Sequence, residues 1–118
     1  MPDAAKHSEQ EQRNDDVYRR VFRQDNPTYS DWAMIAIFRR SLHTVDGFLA
    51  SQPSPIHPAT HVERIGALAR LNKKKAASYY QMLKALSEQA TYECVTFSDA
   101  ELENYEQIAT VDLPSALE

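Results

Sequence analysis

The segment from Ser30 to Ala50 constrains the fold more than any other part of the chain. Its apolar side chains recur every three or four residues, at Ile35, Phe38, Leu42, Val45 and Leu49. This spacing is typical of an α-helix that buries one side, and Ser30 is a good N-cap for it. The chain has only two glycines, and its six prolines fit outside helix interiors, where proline is costly. We therefore expect an all-α protein.

Four further helices are predicted from apolar spacing and from residues that start or stop helices. They run from Glu9 to Arg23, from near Pro58 to a break at Asn72, from about Lys75 to Glu93, and from Ser98 to about Ala109. The sequence Asp25-Asn26-Pro27 stops the first of them, and Ser98-Asp99-Ala100-Glu101 is a capping box for the last. Short turns between such helices favour antiparallel neighbours. The expected architecture is an up-and-down bundle of four to five helices.

The length of 118 residues predicts one domain. We assign it to residues 15–112, with a disordered arm at 1–14 and a flexible C-terminus at 113–118. The arm lacks the apolar stretch of a secretory signal, and the longest apolar run is too short for a bilayer. We expect no contact with a membrane. Cys94 is the single cysteine, which fits a reducing, cytoplasmic location.

Charge is distributed unevenly along the chain. The net charge is −4, so the whole chain is not a general polyanion binder. After Glu63, the bases up to Lys84 have no acid among them, whereas residues 85–118 contain eight acids and no Lys or Arg. Two interpretations are open: the two segments complement each other in the fold, or the basic one receives phosphates.

The second helix carries three polar residues on one flank. Arg39, His43 and Asp46 follow one another at intervals of four and three residues, which aligns them along a helix. A carboxylate one turn from a histidine orients the ring and raises its basicity. Two interpretations are open. The three residues are half of an acid–base site, or His43 and Asp46 simply satisfy each other's hydrogen bonds at the edge of the bundle.

A second polar group follows the proline turn, in His57-Pro58-Ala59-Thr60-His61-Val62-Glu63-Arg64. His57 can cap the third helix, while His61 and Arg64 lie on one flank of its first turns. Free N–H groups and partial positive charge at a helix N-terminus favour anions. The group is thus an anion pocket or an exposed cap. Zinc is disfavoured because no cysteine cluster accompanies the histidines, and we expect no metal or cofactor.

These segments together resemble small bacterial HEPN-like proteins. The resemblance is carried, in order, by Trp32-Ala33, by Leu42-His43, by the segment from His57 to Arg64, and by Tyr80-x2-Leu83-x3-Ser87-x2-Ala90-Thr91-Tyr92. It covers roughly residues 30–108. The resemblance implies a helical bundle that dimerises, with metal-independent endoribonuclease activity in toxin–antitoxin or phage-defence systems, or with non-catalytic binding of nucleotides or proteins.

The implied ribonuclease would act on RNA as a homodimer. Its candidate residues are His61 and His43 as acid and base, Arg64, Arg39 and His57 for the phosphate, and Asp46 to orient the histidine. The family's Arg-x4-6-His motif is absent in its usual form, because only three residues separate Arg39 from His43. The alternative function is a regulatory module that binds a nucleotide or, through the acidic segment 88–106, a basic protein.

Overall fold

The computed structural model describes residues 3–22 and 29–118, and this part of the chain is all-α, as predicted. The helices are α1 (Ala4–Val17), α2 (Ser30–Ala50), α3 (His61–Arg70), α4 (Lys74–Tyr92), α5 (Asp99–Gln107) and α6 (Leu113–Ala116). A π-helical turn, Tyr18–Phe22, extends α1, and another, Ile108–Asp112, joins α5 to α6. No strand occurs among the described residues. The predicted end of the first helix at Arg23 and its stop at Asp25-Asn26-Pro27 lie outside them.

Helix α2 is the central element of the bundle, since it contacts α1, α3, α4 and α5. The predicted apolar side of this helix is confirmed: Phe38, Val45 and Leu49 are buried, and Ile35 and Leu42 pack partly buried against them. Helix α4 packs on α2, α3 and α6. The largest side chains with no exposed surface include Met34, Leu49, Leu68, Tyr80, Leu83 and Leu113. These residues come from α2, α3, α4 and α6, so one core unites the helices.

The predicted break between α3 and α4 is confirmed at Asn72. This residue has a φ of 62°, the left-handed conformation that asparagine tolerates better than most residues. The following N–H, of Lys73, donates to the carbonyl of Leu68 at 2.8 Å. That bond closes the end of α3 and lets α4 turn back along it.

Both termini differ from the sequence prediction. Helix α1 begins at Ala4, inside the predicted arm, because the Asp3 carboxylate caps it by accepting from the Lys6 N–H at 2.9 Å. At the other end, Pro114 does not end regular structure. It occupies the first turn of α6, where its missing donor is harmless, and Leu113 and Leu117 are buried on either side of it.

The start of α3 was also predicted wrongly. The helix begins at His61 rather than near Pro58, and Thr60, not His57, is its N-cap. The Thr60 hydroxyl accepts from the Glu63 N–H at 3.1 Å. Threonine holds this position because its side-chain oxygen sits close to the backbone, which suits a cap. His57 is exposed in the preceding loop.

Candidate functional site

Four polar side chains from three helices meet beside the core. They are Asp46 of α2, His61 and Arg64 of α3, and Tyr80 of α4. We call this group the polar cluster. Three of its members were candidate site residues in the sequence, and the packing of α3 against both α2 and α4 brings them together.

Asp46 and Arg64 form the buried half of the polar cluster. The Arg64 Nε and Nη2 donate to the two carboxylate oxygens of Asp46 at 2.6 and 2.9 Å. Only 12% of the arginine side chain and 8% of the aspartate side chain are exposed. The hydrogen bonds to Asp46 raise the pKa of Arg64 above its ordinary value. A pair joined by two hydrogen bonds fixes both groups and neutralises both charges. The anion bound by Arg64 is therefore the Asp46 carboxylate.

Tyr80 and His61 form the other half. The Tyr80 hydroxyl lies 2.5 Å from the His61 Nδ1, and the tyrosine is fully buried. Burial raises the pKa of the phenol to about 12, so it keeps its proton at neutral pH. Arg64 also interacts with this hydroxyl, and a guanidinium can only donate. We therefore expect the phenol proton to be directed to His61 Nδ1, which would leave the imidazole proton on Nε2.

This tautomer determines what His61 can do. A neutral imidazole whose Nδ1 accepts from Tyr80 carries its proton on Nε2, and that nitrogen then donates rather than accepts. A general base needs an unprotonated nitrogen next to the substrate proton. With the proton on Nε2, His61 would be suited to donating a hydrogen bond to a bound group and poorly suited to removing a proton.

The pKa of His61 is lowered from its ordinary value. The cause is mainly desolvation by burial, with a smaller contribution from the positive charges of Arg64 and Lys84. Between the lowered pKa and the ordinary value of about 6.5, the unfolded chain binds more protons at this site than the folded chain. The stability from His61 is therefore fully present above pH 6.5 and is lost as the pH falls below it.

Between about pH 8 and about pH 5, we expect the free energy of unfolding to fall once the pH drops below about 6.5. The His61→Gln variant should depend less on pH than the wild type, since glutamine does not titrate. The matched control is His57→Gln, at an exposed histidine, which should retain the wild-type dependence. Urea titrations across the range measure both, and equal slopes in the wild type and His61→Gln would contradict the assignment.

Side chains of the protein itself bind at the beginning of α3, where the sequence suggested an anion pocket. The Glu63 carboxylate accepts from the Ala59 N–H at 2.6 Å, and Thr60 binds the Glu63 N–H. Two side chains of the protein thus bind backbone donors at this end of α3, the Ala59 and Glu63 N–H groups. His57 is exposed in the loop and takes no part in the polar cluster.

The predicted pairing of His43 with Asp46 is also replaced by other contacts. The His43 Nδ1 lies 3.1 Å from the Nδ1 of His7 in α1, while Asp46 binds Arg64. His43 and His61 thus belong to two different hydrogen-bonded pairs rather than to one acid–base couple. Arg39 is exposed beside an apolar groove lined by Val17 and Trp32.

Sequence reasoning missed two members of these contacts, Tyr80 and His7. Tyr80 was noted as part of the family resemblance, yet a phenol on the buried side of a helix needs a hydrogen-bond partner, and that requirement was a usable signal. His7 lay in the predicted disordered arm, and no local pattern in the sequence links it to a residue 36 positions away.

Among the described residues, no group of three or more His, Cys, Asp or Glu side chains is arranged to hold a metal ion. In the same part of the chain, every helix is too short or too polar to cross a membrane. Comparison of the chain with protein-family models, with curated proteins and with solved structures found no match.

Proposed function

We propose that the chain is a HEPN-like binding module, without catalytic activity of its own, that recognises a basic partner protein in a toxin–antitoxin or phage-defence setting. The proposed lack of catalytic activity rests on the buried Asp46–Arg64 ion pair. Its two hydrogen bonds, from the guanidinium to the carboxylate oxygens, are 2.6 and 2.9 Å long. The one arginine within the polar cluster is neutralised there. A phosphate held at this point would have to displace the carboxylate and leave its charge buried and unpaired, which is costly.

The surface that supports partner binding runs from Tyr92 to Glu103, across the end of α4 and the start of α5. We call it the acidic surface. Tyr92 is 80% exposed and is followed directly by the exposed Glu93. Asp99, Glu101 and Glu103 are exposed on the first turns of α5. A segment that exposes a tyrosine and four carboxylates suits a cationic partner, because tyrosines are enriched at interfaces and opposite charges guide association.

The test measures binding of short arginine-rich peptides by fluorescence anisotropy, with acidic peptides of equal length as the negative control. We expect the wild type to bind the basic peptides with an affinity that falls as salt rises. The double variant Tyr92→Ser/Glu93→Lys should bind about tenfold more weakly, a change of about 1.4 kcal/mol. Equal affinity of wild type and variant would contradict the proposal.

The matched control for that variant is Val62→Ser/Glu9→Lys. Val62 is also 80% exposed and Glu9 is exposed on α1, so the control makes the same change in charge and removes an equally accessible apolar side chain elsewhere. It should bind the peptides like the wild type. Loss of affinity in both double variants would show a response to net charge alone and would also contradict the proposal.

A second candidate is a metal-independent endoribonuclease that acts as a homodimer, favoured by the convergence of His61 and Arg64 in one cluster. It requires RNA cleavage in the presence of EDTA and loss of cleavage in His61→Ala. Our first proposal expects intact RNA with both proteins. Cleavage by the wild type that His61→Ala abolishes would establish the second candidate and remove the first.

A further inference from the structure

Two histidines form a contact between α1 and α2 that neither the polar cluster nor the acidic surface uses. The Nδ1 atoms of His7 and His43 are 3.1 Å apart, and the rings are tilted by 40° with centroids 5.4 Å apart. His7 is the buried residue of α1, with 8% of its surface exposed. The histidine contact therefore lies where α1 is buried, and it is itself part-buried.

The hydrogen bond between the two rings depends on their protonation. One Nδ1 must carry a proton and the other must offer its lone pair. When both imidazoles are protonated, both Nδ1 atoms are donors and each ring carries a positive charge. The hydrogen bond is then lost, and two like charges face each other in a part-buried interface, where their repulsion is stronger than in water.

The charged groups around the contact favour its disruption at low pH. Arg39 of α2 and Arg64 of α3 repel a proton on His43, and the attraction of Asp46 opposes them. Asp46 is already paired with Arg64. Burial, followed by the His7 charge, lowers the pKa of His43 from its ordinary value. On α1, the Glu11 carboxylate is directed to Arg40, 3.7 Å from its Nε, rather than to His43.

Ion pairs also join α1 to α2. Arg40 of α2 forms ion pairs with Glu11 and Asp15 of α1. About a quarter of each of these side chains is exposed, so water and salt weaken the pairs. Histidine is the side chain whose charge ordinarily changes between pH 5 and 8, which leaves the histidine contact as the pH-sensitive part of this interface.

We propose that α1 docks on α2 in a pH-dependent manner, bound near neutral pH through the His7–His43 contact and released when both rings are protonated in mildly acidic solution. A released α1 unfolds, because an isolated helix of 14 residues is marginal in water. Release uncovers the part of α2 next to Arg40 and His43. The proposal concerns α1 and does not depend on the proposed function.

The experiment follows far-UV circular dichroism and Trp32 fluorescence of the full chain from about pH 8 to about pH 5. Trp32 shares a groove with Asn14 and Val17 of α1 and lies about 16 Å along α2 from His43, too far for direct quenching. We expect the ellipticity of the 14 residues of α1 to disappear in one transition, together with a red shift of the emission.

The deciding variants are His7→Gln/His43→Gln and the control His57→Gln, which replaces an exposed histidine in the loop before α3. The double variant should show no transition, because its amides pair at any pH in this range, and the control should behave like the wild type. Flat traces in the wild type, an unchanged transition in the double variant, or loss of all helical signal instead of that of α1 would each overturn the proposal.

Discussion

We expect the Arg64→Ala variant to lose about 3–5 kcal/mol of unfolding free energy, the loss typical of a buried ion pair from which one partner is removed. The alanine leaves the Asp46 carboxylate, of which 8% is exposed, without the guanidinium that neutralises it. The midpoint of thermal unfolding should fall by about 12–20 °C. Thermal and urea unfolding followed by circular dichroism measure the two quantities.

Two further variants distinguish the loss of the Asp46–Arg64 ion pair from the general effect of removing an arginine from α3. Arg70→Ala removes an exposed arginine from the same helix and should stay within about 0.5 kcal/mol of the wild type. Asp46→Leu/Arg64→Met removes both charges at similar volume and should recover most of the stability. If Arg64→Ala cost no more than Arg70→Ala, the buried pair would not be the structural element described here.

The second large effect is expected at Tyr80. The Tyr80→Ala variant should lose about 3–5 kcal/mol, because it empties a fully buried ring position next to Phe38 and His61. The Tyr80→Phe variant keeps the ring and removes the hydroxyl that lies 2.5 Å from His61 Nδ1. It should lose about 1–3 kcal/mol, the cost of leaving polar partners without a hydrogen bond.

The control for Tyr80→Phe is the same substitution at Tyr79, whose half-buried ring lies 5.9 Å from the Lys75 Nζ. Tyr79→Phe should change the unfolding free energy by no more than about 0.5 kcal/mol. Equal losses for the two phenylalanine variants would mean that the Tyr80 hydroxyl contributes no more than a surface group. The stabilising role proposed for the Tyr80 hydroxyl would then be wrong, even if Tyr80→Ala caused a large loss of unfolding free energy.

The helices were predictable where a local pattern determines them. The end of α2 at Ala50 matches the prediction because a long apolar period and an uninterrupted run of helix-compatible residues agree. The N-cap prediction was wrong: Tyr29 holds that position, and the Ser30 hydroxyl accepts from the Phe97 N–H at 3.1 Å. The capping box is present as predicted: the Ser98 N–H donates to the Glu101 carboxylate at 3.0 Å, and the Glu101 N–H donates to the Ser98 hydroxyl at 3.2 Å. Both signals act within a few residues, so one sequence suffices to detect them.

The partners of the candidate residues were not predictable, because tertiary packing decides them. Asp46 had His43 one turn away, yet it pairs with Arg64, 18 residues further along the chain. The docking of α3 brings a guanidinium that binds a carboxylate at two points, which an imidazole cannot do. Because Asp46 binds Arg64, His43 forms its hydrogen bond with His7 instead. His7 lies in the first turns of α1, which the sequence did not predict to be helical.

These contacts change the interpretation of the site. The sequence suggested imidazoles and guanidinium groups around a hollow for an anion, and three of its candidates, Asp46, His61 and Arg64, do meet. They meet as a closed network, however, in which Asp46 neutralises Arg64 and the Tyr80 hydroxyl hydrogen-bonds to His61. A closed network stabilises the packing of α2, α3 and α4, and this is why we propose binding at the acidic surface in place of catalysis.

The most direct test of this account is the tautomeric state of His61, read from the ¹⁵N chemical shifts of its imidazole in the full chain near pH 7. We expect a neutral ring with the proton on Nε2 and an Nδ1 that accepts from Tyr80, and we expect Tyr80→Phe to disturb this preference. A proton on Nδ1, which would leave Nε2 free to act as a base, or a charged ring at pH 7, would contradict the account.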